Sequence, residues 1–586
     1  MQIYKAPLNE MRFVLEAMGY DEVQKLEGYE DFDMDVAMSI LEEQGKFCAN
    51  EMLPLNQTGD QEGIHYDPQE QTITMPKGFI ELYNKYKEAG ISGLVHPPQY
   101  GGSGAPSMLG VMVAEMPTAT NKSFSMCPGL TNGLIDAMLH HANDELKDAY
   151  LPKLVSGEWA GTMCLTEPHC GTDLGLLKTK AEPQDDHYLI TGTKIWITFG
   201  EHDLTDNIIH LVLARLPDAP EGIKGISLFL VPKVTLDGER NPIYCGGVEH
   251  KMGIHASPTC VMNLENAKGW LVGEPHKGMR AMFVMMNHAR LNVGIEGISL
   301  AEISYQTAVQ FAKDRRQSRS LDPEKRDPNA PADTILVHPD VRRMLLNARA
   351  GVEGMRALAS YVGKHLDISK KSTDEEARAY SSDIVALLTP IIKSFFTEKG
   401  CRYIDDAMQS LGGSGYTTDW CIEQYYRDAR IAMIYEGTNH IQALDLVGRK
   451  LTIENGRLFR RFNEEITTLI KESKEDERMA EFINPLKKAS KALAEVTMGL
   501  AMKGMQDPEE IGAVASAYLN LFGFTALAFI YCKKAQYALK KDDAHSKTKL
   551  KTARFYMNNM LPEIYGLIPQ IEAGKASMMD FDMDEF

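Results

Sequence analysis

Apolar and polar residues recur with two different periods along this chain, and the change of period divides it into regions. From about residue 36 to 160 apolar residues return every three or four positions, as in "DVAMSILEEQGKF" and "DELKDAYLPKLV", which predicts amphipathic helices. From 161 to 275 the apolar runs are short, β-branched and partly alternating, as in "HYLITGTKIWIT" and "GISLFLVPKVTL". Gly, Pro and Asp separate these runs, and this second pattern predicts antiparallel strands.

Helical spacing returns at about residue 276 and continues to the end of the sequence. A polar, proline-containing insertion at 318–333 interrupts it and predicts a surface loop. A chain of 586 residues is too long for one core. We therefore predict an α+β multidomain protein with an N-terminal arm, a helical domain, a middle β domain, a helical bundle domain and an additional C-terminal helical domain, at 1–35, 36–160, 161–275, 276–450 and 451–586.

One uncharged stretch, Ile511 to Cys532, is long enough to span a bilayer. It also contains Ser516, Asn520 and two glycines, and no second stretch of this kind occurs in the sequence. A buried helix of a bundle has the same composition, and we favour that interpretation over a membrane span. The sequence thus predicts no integral membrane segment.

Charge and cysteine content further narrow the class of protein and its possible partners. The formal net charge of −19 argues against general affinity for nucleic acid or for an anionic membrane. Nine scattered cysteines without C-x-x-C pairs predict reduced thiols in a cytoplasmic protein, and no His, Cys or Asp cluster has metal-ligand spacing. The first residues contain early acidic side chains and no apolar core of a signal peptide.

Four short motifs carry the chemistry. They are "GTMCLTEPHCGTDLG" at 161–175, "KIWIT" at 194–198, "QSLGGSGY" at 409–416 and "IYEGTNHIQ" at 434–442. Each is weak evidence alone, but together, in this order, they resemble the acyl-CoA dehydrogenase family of flavoproteins over about residues 36–450. The long C-terminal block and the opening "YKAPLNEMRFVL" resemble most the branch of that family acting on 3-(methylthio)propionyl-CoA.

The resemblance implies a fold, a reaction and partners. The fold is a helical domain, an antiparallel β-barrel and a four-helix bundle, here with an extra C-terminal helical domain. The reaction is FAD-dependent α,β-dehydrogenation of an acyl-CoA to the trans-2-enoyl-CoA, with electrons passed to an electron-transfer flavoprotein. Since the C-terminal domain can occupy the place of two further subunits in tetrameric relatives, we expect a homodimer.

The first two motifs are suited to a flat polar ring, which needs backbone amides at its edge and small residues beside it. Thr166 and Thr172 offer hydroxyls, and Gly171 shapes the turn. By resemblance Thr166 binds near flavin N5, Thr172 also contacts substrate, and the Trp196 indole covers one flavin face. The resemblance implies a ring site made of Met163, Leu165, Thr166, Gly171, Thr172, Trp196, Ile197 and Thr198. An ordinary turn and a strand tryptophan are the alternative for either motif alone.

The remaining cofactor contacts are implied at the dimer interface. By resemblance Gln409, Gly412 and Gly413 contact the FAD of the neighbouring subunit, and Arg315 with Gln317 contacts its pyrophosphate. The sequence departs from the family here, because Ser318 and Arg319 replace a Phe-Gly pair just before the insertion. A solvated basic helix end remains the alternative for Arg316 and Arg319.

Glu436 is the candidate catalytic base. A new helix is predicted after its Gly-Thr break, and a helix N-terminus favours an ionised carboxylate, whereas Ile434 and Met433 favour a neutral one. In the family the matching glutamate removes the α-proton of the acyl-CoA, and its backbone N–H polarises the thioester. The resemblance also implies that Gly437 lies against substrate and that Thr438 and Asn439 reach the FAD.

Alternatives remain for this site and for the function. A structural salt bridge of Glu436 with Arg290 or Arg430 would explain the carboxylate without catalysis. By resemblance Arg290 and Asn287 are near the substrate. An acyl-CoA oxidase that uses O₂ shares the core, and a DNA-associated flavoprotein branch is a further alternative; residues 451–586 hold about 19 basic and about 20 acidic residues, which indicates no basic face.

Overall fold

Helices form most of the chain and most strands lie in one central region, as the two patterns in the sequence predict; a short hairpin at 65–74 lies in the region predicted to be helical. The computed structural model describes residues 2–586, apart from the side chains of Val284, Asn287 and His288. The α-helices span Leu8–Met18, Tyr20–Val23, Met34–Phe47, Pro54–Glu62, Phe79–Glu88, Ser107–Thr120, Lys122–His141, Asp144–Val155, Gly278–Asp314, Pro339–Lys371, Glu375–Leu411, Ile422–Arg430, Asn439–Asp445, Arg457–Ser473, Ala480–Gln506, Pro508–Ala538, Ala544–Phe555, Ile564–Ala573 and Ala576–Met579.

The strands form one hairpin and one seven-stranded sheet in the described part of the chain. In chain order they are β1 (His65–Asp67), β2 (Thr72–Thr74), β3 (Ala160–Cys164), β4 (Lys180–Pro183), β5 (Tyr188–Thr198), β6 (Ile208–Arg215), β7 (Ile226–Pro232), β8 (Ile243–Val248) and β9 (Thr259–Leu271). Five of them close into a ring through the pairings β6–β4, β4–β5, β5–β9, β9–β7 and β7–β6. The predicted barrel is confirmed.

The sheet is not wholly antiparallel, which corrects the sequence prediction. β3 runs parallel to β6, from Ala160 opposite Ile208 to Cys164 opposite Val212. β4 also meets β6 in parallel, at Lys180 and Arg215. Apolar spacing along one strand reports which faces are buried, but it does not report the direction of the neighbouring strand.

The chain divides into two compact units, each with its own core. The first comprises residues 47–105 and 120–292 and contains the barrel. An apolar cluster of this unit joins the helix Lys122–His141, alternate residues of β6 and β7 and the first turns of the helix that begins at Gly278, through Leu134, Ile135, Met138, Leu211, Leu213, Leu228, Leu230, Met282 and Met285. This packing fixes the loop after β3, which carries the first motif.

The second unit comprises residues 1–46, 106–119 and 293–586. The helix Leu8–Met18 buries five apolar side chains in it, those of Met11, Phe13, Val14, Leu15 and Met18. This part of the predicted N-terminal arm, residues 1–35, is therefore packed into the core of the second unit. Met11, Val14, Leu15 and Met18 recur every three or four positions and line one face of the helix.

One helix among the described residues, Pro508–Ala538, is long and apolar enough to cross a membrane by length and composition alone. In its most apolar window, 78% of the residues are buried inside the structure. The Phe524 ring packs edge-on against Phe395 at 5.0 Å, and Tyr531 donates a hydrogen bond to the Ala350 carbonyl. This arrangement is that of a core helix, as the sequence analysis favours.

Candidate active site

Glu436 lies in a short turn between two helical segments of the second unit. A 3₁₀ turn ends at Met433, and the next helix starts at Asn439, where the Thr438 hydroxyl accepts the Ile441 N–H at 3.3 Å. The helix predicted after the Gly-Thr break is thus present. Glu436 and Gly437 both have left-handed backbone conformations, with φ of 56° and 80°. A glutamate pays about 1–3 kcal/mol for such a conformation, so the surrounding structure must hold the turn.

Two buried side chains that the sequence analysis missed hold this turn. Lys393 Nζ donates to the Gly437 carbonyl at 2.7 Å and to Asn439 Oδ1 at 3.0 Å. Gln442 Nε2 lies 3.1 Å from the Glu436 carbonyl and 3.2 Å from the Gly437 carbonyl. Both side chains are fully buried. The signal that could have revealed Lys393 is a lone lysine inside the apolar helical run "TPIIKSFF".

The Asn439 side chain makes hydrogen bonds within the chain. Its Nδ2 donates to the Ser394 carbonyl and to Thr397 Oγ1, each at 3.2 Å, and its Oδ1 accepts from Lys393. The implied contact of Asn439 with FAD stays a prediction. Because the side-chain amide of Asn439 is already hydrogen-bonded within the chain, its backbone N–H is the simpler donor to FAD. Thr438 keeps its hydroxyl hydrogen available, because the hydroxyl acts as an acceptor in the helix cap.

Beside Glu436 lies a half-buried tyrosine that stays protonated. Burial, and then the neighbouring carboxylate of Glu296, raise the pKa of Tyr435 well above its usual value. The Tyr435 hydroxyl donates to Glu296 Oε2 at 2.5 Å. The turn is therefore anchored on both sides of the glutamate, by Tyr435 before it and by Gly437 after it.

In the first unit, one buried carboxylate organises the loop after β3. Glu167 accepts hydrogen bonds from Lys194 Nζ at 2.9 Å, from Thr179 Oγ1 at 2.6 Å and from the Lys178 N–H at 2.7 Å. Burial alone would raise the pKa of Glu167, but Lys194 and these hydrogen bonds outweigh burial, and the pKa lies below its usual value. Glu167 therefore stays ionised at neutral pH and fixes the neighbouring Thr166, whose carbonyl accepts the Ile195 N–H at 2.9 Å.

The same loop brings together a group that the sequence analysis did not anticipate. Ligand-type atoms of Glu167, His169 and Cys170 lie within 4.8 Å of one another. The Glu167 carboxylate is already neutralised by Lys194, and His169 Nε2 lies 2.9 Å from the Leu176 carbonyl. These contacts account for both residues as parts of the loop.

Trp196 occupies an irregular position in β5. The pairing of β5 with β9 shifts register between Lys194 and Ile197, and Trp196 there has a left-handed φ of 66°. This bulge turns the indole outward, where it is 58% exposed, while Ile197 is buried. A large exposed indole held by a strained backbone is suited to cover a flat ring. Ile197, a predicted cofactor contact, can reach a ligand only through its backbone.

The third motif forms an open surface at the end of the helix Glu375–Leu411. Gly412 ends this helix with a φ of 59°, and a Cβ added at Gly412 or Gly413 would meet nothing within 4 Å. Gln409 is exposed on the last turn. The bare backbone allows close approach of a ligand or another subunit, in agreement with the predicted FAD contact without testing it.

Arg316 and Arg319 have different surroundings from Arg315 and Gln317. The Arg316 guanidinium binds Asp327 at 3.1 Å and Arg319 binds the Asp327 carbonyl at 2.9 Å, so both hold the insertion loop. Arg315 and Gln317 have exposed side chains, and no hydrogen bond to them from the described residues is present. Arg316 and Arg319 are thus structural, and the contact of Arg315 and Gln317 with the FAD pyrophosphate stays a prediction.

The predicted substrate contacts lie on different elements. Arg290 is buried in the helix Gly278–Asp314, and Thr172 is exposed on the loop after β3. The side chain of Asn287 lies outside the described residues. Gly437 is part of the turn described above. Met163 and Leu165, two further predicted cofactor contacts, are half-buried at the end of β3 and just after it.

These residues fit a flavin dinucleotide. An outward-facing indole beside the hydroxyl-bearing loop is suited to the ring, while bare glycine backbone and free Arg315 are suited to a pyrophosphate. The residues that would hold the ring are those predicted around Thr166 and Trp196. Each group is described within its own compact unit.

Four protein-family models match successive parts of the chain. Models described as the N-terminal domain, the middle domain and the C-terminal domain of acyl-CoA dehydrogenase match residues 37–158, 162–267 and 276–451. The chain belongs to the acyl-CoA dehydrogenase family. A fourth model, described as acetyl-CoA dehydrogenase C-terminal like, matches residues 462–582, so the additional C-terminal domain also occurs in other proteins. This acyl-CoA dehydrogenase is a FAD-dependent oxidoreductase acting on acyl-CoA, and the predicted fold class is confirmed.

Curated relatives match the dehydrogenase along almost its whole length. The 3-methylmercaptopropionyl-CoA dehydrogenase of Ruegeria pomeroyi is 42% identical over 96% of both chains. A butyryl-CoA dehydrogenase of Syntrophomonas wolfei is 32% identical over 100% of this chain and 99% of its own. The broad-specificity linear acyl-CoA dehydrogenase FadE5 of Mycobacterium tuberculosis is 31% identical over 100% of both chains.

Solved structures show the same fold. Caenorhabditis elegans ACDH-11 in complex with C11-CoA has a TM-score of 0.82 and 17% identity, covering 99% of this chain and 96% of its own. An acyl-CoA dehydrogenase of Bacillus anthracis complexed with FAD has a TM-score of 0.74 and 24% identity, covering 94% and 90%. Both support the architecture that includes the C-terminal domain.

Proposed function

We propose that this acyl-CoA dehydrogenase removes the α-proton and the β-hydride of a short acyl-CoA, with Glu436 as the base. The observation that supports the role of Glu436 is its turn: a strained conformation held by buried hydrogen bonds, directly before a helix N-terminus. Strained backbone is maintained where the position of a side chain matters, and this one carries an ionisable group.

In this mechanism the chain supplies a proton acceptor and a polarising donor. The Glu436 carboxylate takes the α-proton of the thioester, and a carbon–carbon double bond forms as the β-hydrogen leaves with its electron pair. The Glu436 N–H is proposed to bind the thioester oxygen, which stabilises the charge developing there. FAD, when bound, supplies the hydride acceptor. Thr166, Thr172 and Trp196 are proposed to orient its ring.

For the substrate we propose 3-(methylthio)propionyl-CoA. The support is the relative from Ruegeria pomeroyi, whose identity of 42% exceeds the 32% of the butyryl-CoA dehydrogenase, both over nearly the full length. The proposed products are methylthioacryloyl-CoA and reduced flavin. The route would then belong to the breakdown of dimethylsulfoniopropionate, and butyryl-CoA is the competing substrate.

We further propose an electron-transfer flavoprotein as the electron acceptor, a homodimer as the assembly and the cytoplasm as the location. All nine cysteines are free and buried, in keeping with a reducing compartment. Light scattering tests the assembly, and a tetramer would contradict it. Fast reoxidation of the reduced enzyme by O₂ would favour an oxidase over electron transfer to a second flavoprotein.

The experiment is an anaerobic titration of the purified yellow enzyme with 3-(methylthio)propionyl-, butyryl-, octanoyl- and palmitoyl-CoA. We expect rapid loss of flavin absorbance, fastest with 3-(methylthio)propionyl-CoA. In Glu436→Gln the rate should fall by about 10²–10⁴-fold, because the amide cannot accept the proton. Glu423→Gln is the control, since Glu423 lies in an ion pair with Arg427 within the preceding helix, Ile422–Arg430, and should be replaceable.

Equal rates in Glu436→Gln and the wild type would remove Glu436 from the mechanism. Loss of absorbance with butyryl-CoA but not with 3-(methylthio)propionyl-CoA would contradict the proposed substrate and leave the reaction intact. If none of the four thioesters changes the spectrum, the proposed substrate class is wrong.

A further inference from the structure

The turn that carries Glu436 contains two consecutive residues in the left-handed region. Gly437 adopts its φ of 80° freely, but Glu436 at 56° does not, because its Cβ crowds the backbone. A turn of this kind relaxes when nothing fixes its carbonyls. The Glu436 side chain would then leave the position from which it reacts.

Both carbonyls of the turn are fixed by buried donors. The Gly437 carbonyl receives Lys393 Nζ at 2.7 Å and Gln442 Nε2 at 3.2 Å. The Glu436 carbonyl receives Gln442 Nε2 at 3.1 Å. Because the peptide unit is planar and trans, fixing a carbonyl also fixes the following N–H on the opposite side. The two donors thus set the peptide planes that follow Glu436 and Gly437.

Lys393 and Gln442 approach the turn from two different elements. Lys393 belongs to the helix Glu375–Leu411, whereas Gln442 is on the short helix that the turn itself begins. Lys393 also binds Asn439 Oδ1 at 3.0 Å, and Asn439 binds back to Thr397 of the long helix at 3.2 Å. These contacts tie the start of the short helix to a long, buried one.

A fully buried lysine is expensive, since its ammonium group leaves water. A leucine or methionine at position 393 would pack in the same apolar run at lower cost. The hydrogen bonds that Lys393 makes to the turn give it a specific use. They hold the backbone that carries the base.

We propose that Lys393 and Gln442 are positioning residues for Glu436, which hold its turn in the reactive left-handed conformation. The inference rests on the proposed role of Glu436 as the base. Neither residue is assigned contact with substrate or flavin. They act through the backbone of residues 436 and 437, so their loss should slow the chemical step more than it weakens substrate binding.

The test compares Lys393→Met and Gln442→Met, which remove the donors and keep the volume, with the wild-type holoenzyme. We expect kcat to fall by about 10- to 100-fold in each variant, because small displacements of a reacting group have effects of this size. KM should change by less than about threefold. The control is Lys534→Met, another fully buried lysine, which binds Glu10 and Glu353 instead.

Two further measurements distinguish positioning from a general loss of structure. Hydrogen–deuterium exchange should become faster in peptides covering residues 434–442 in both variants, with or without turnover, and stay unchanged there in Lys534→Met. The double variant Lys393→Met/Gln442→Met should lose less than the product of the single losses, because both donors act on one turn.

A kcat within about twofold of the wild type in Lys393→Met and Gln442→Met, or unchanged exchange over residues 434–442, would overturn the proposal. Loss of kcat in Lys534→Met to the same extent would show that any buried lysine has this effect, and would also overturn it. If the wild type itself reacts with no acyl-CoA, the proposed function fails separately, and the exchange measurement still decides whether the donors hold the turn.

Discussion

The rings of His202, His210 and His365 are buried. Burial disfavours the imidazolium form and, with nearby cationic side chains, lowers the pKa of each to about 3. His210 Nδ1 lies 2.6 Å from the Thr162 hydroxyl inside the barrel. In the unfolded chain a histidine has a pKa of about 6.5. Below that pH each of these histidines is neutral in the folded protein and binds a proton when the protein unfolds. These residues make stability depend on pH.

The sign of this dependence follows from the lowered pKa. Stability is complete above about pH 6.5 and is lost as pH falls below it, by up to about 1.4 kcal/mol per pH unit for each histidine. We expect urea midpoints of the wild type to fall from pH 7 to pH 5. His210→Gln should reduce the slope by about one proton. An unchanged slope in His210→Gln would contradict the argument.

At the scale of single elements, the helix Pro508–Ala538 shows how packing decides between two interpretations of one sequence. Its apolar run fits a bilayer and a protein core equally well. The partners settle the choice: Phe522 stacks on Phe462 at 5.6 Å, and Phe524 meets Phe395 at 5.0 Å. Gly523 lies between Phe522 and Phe524 in sequence, and a Cβ there would come within 2.4 Å of the Phe395 ring. The glycine is required by close packing.

We expect Gly523→Ala to destabilise the second unit by about 1–3 kcal/mol, because the added methyl group overpacks the contact with Phe395. Gly512→Ala on the same helix is the matched control. A Cβ at Gly512 meets nothing within 4 Å, so alanine should stabilise the helix by about 0.5–1 kcal/mol. Thermal unfolding of both variants measures the effects, and a stable Gly523→Ala would show that the packing can yield.

At the scale of the second unit, the N-terminal helix and the C-terminal domain are joined by buried charges. Lys534 Nζ donates to Glu10 Oε1 at 2.8 Å, and Lys549 binds Glu10 and Glu353. The pKa of Glu353 is lowered, since the neighbouring Lys549 and Lys534 outweigh the effect of burial. Residues more than 500 positions apart therefore share one network, and removing either end leaves buried charges unpaired.

We expect a chain ending at residue 450 to be insoluble or unfolded. The truncation removes Lys534 and Lys549, which are the partners of the buried Glu10, and the loss of Phe524 uncovers Phe395. Breaking a buried ion pair alone costs about 3–5 kcal/mol. Removal of residues 576–586, which are exposed, is the control and should leave a folded enzyme. Soluble expression and circular dichroism measure both, and a folded, soluble 1–450 would show that the C-terminal domain is independent.

The sequence by itself determined the order of helical and β regions, the family and the candidate base, because periodicity and four motifs are local properties. It also indicated that Thr438 begins a helix, since capping is local chemistry. It did not reveal the burial of the helix Leu8–Met18, whose partner Lys534 lies at the other end of the chain.

The tertiary structure decided what depends on contacts between distant residues. The parallel pairing of β3 with β6, the bulge that turns Trp196 outward and the buried ion network all arise from such contacts. So does the support of Glu436 by Lys393, which lies 44 positions from Gly437 in sequence and 2.7 Å from its carbonyl in space. A sequence shows that a charge stands in an apolar run, but only the fold shows which oxygen it binds.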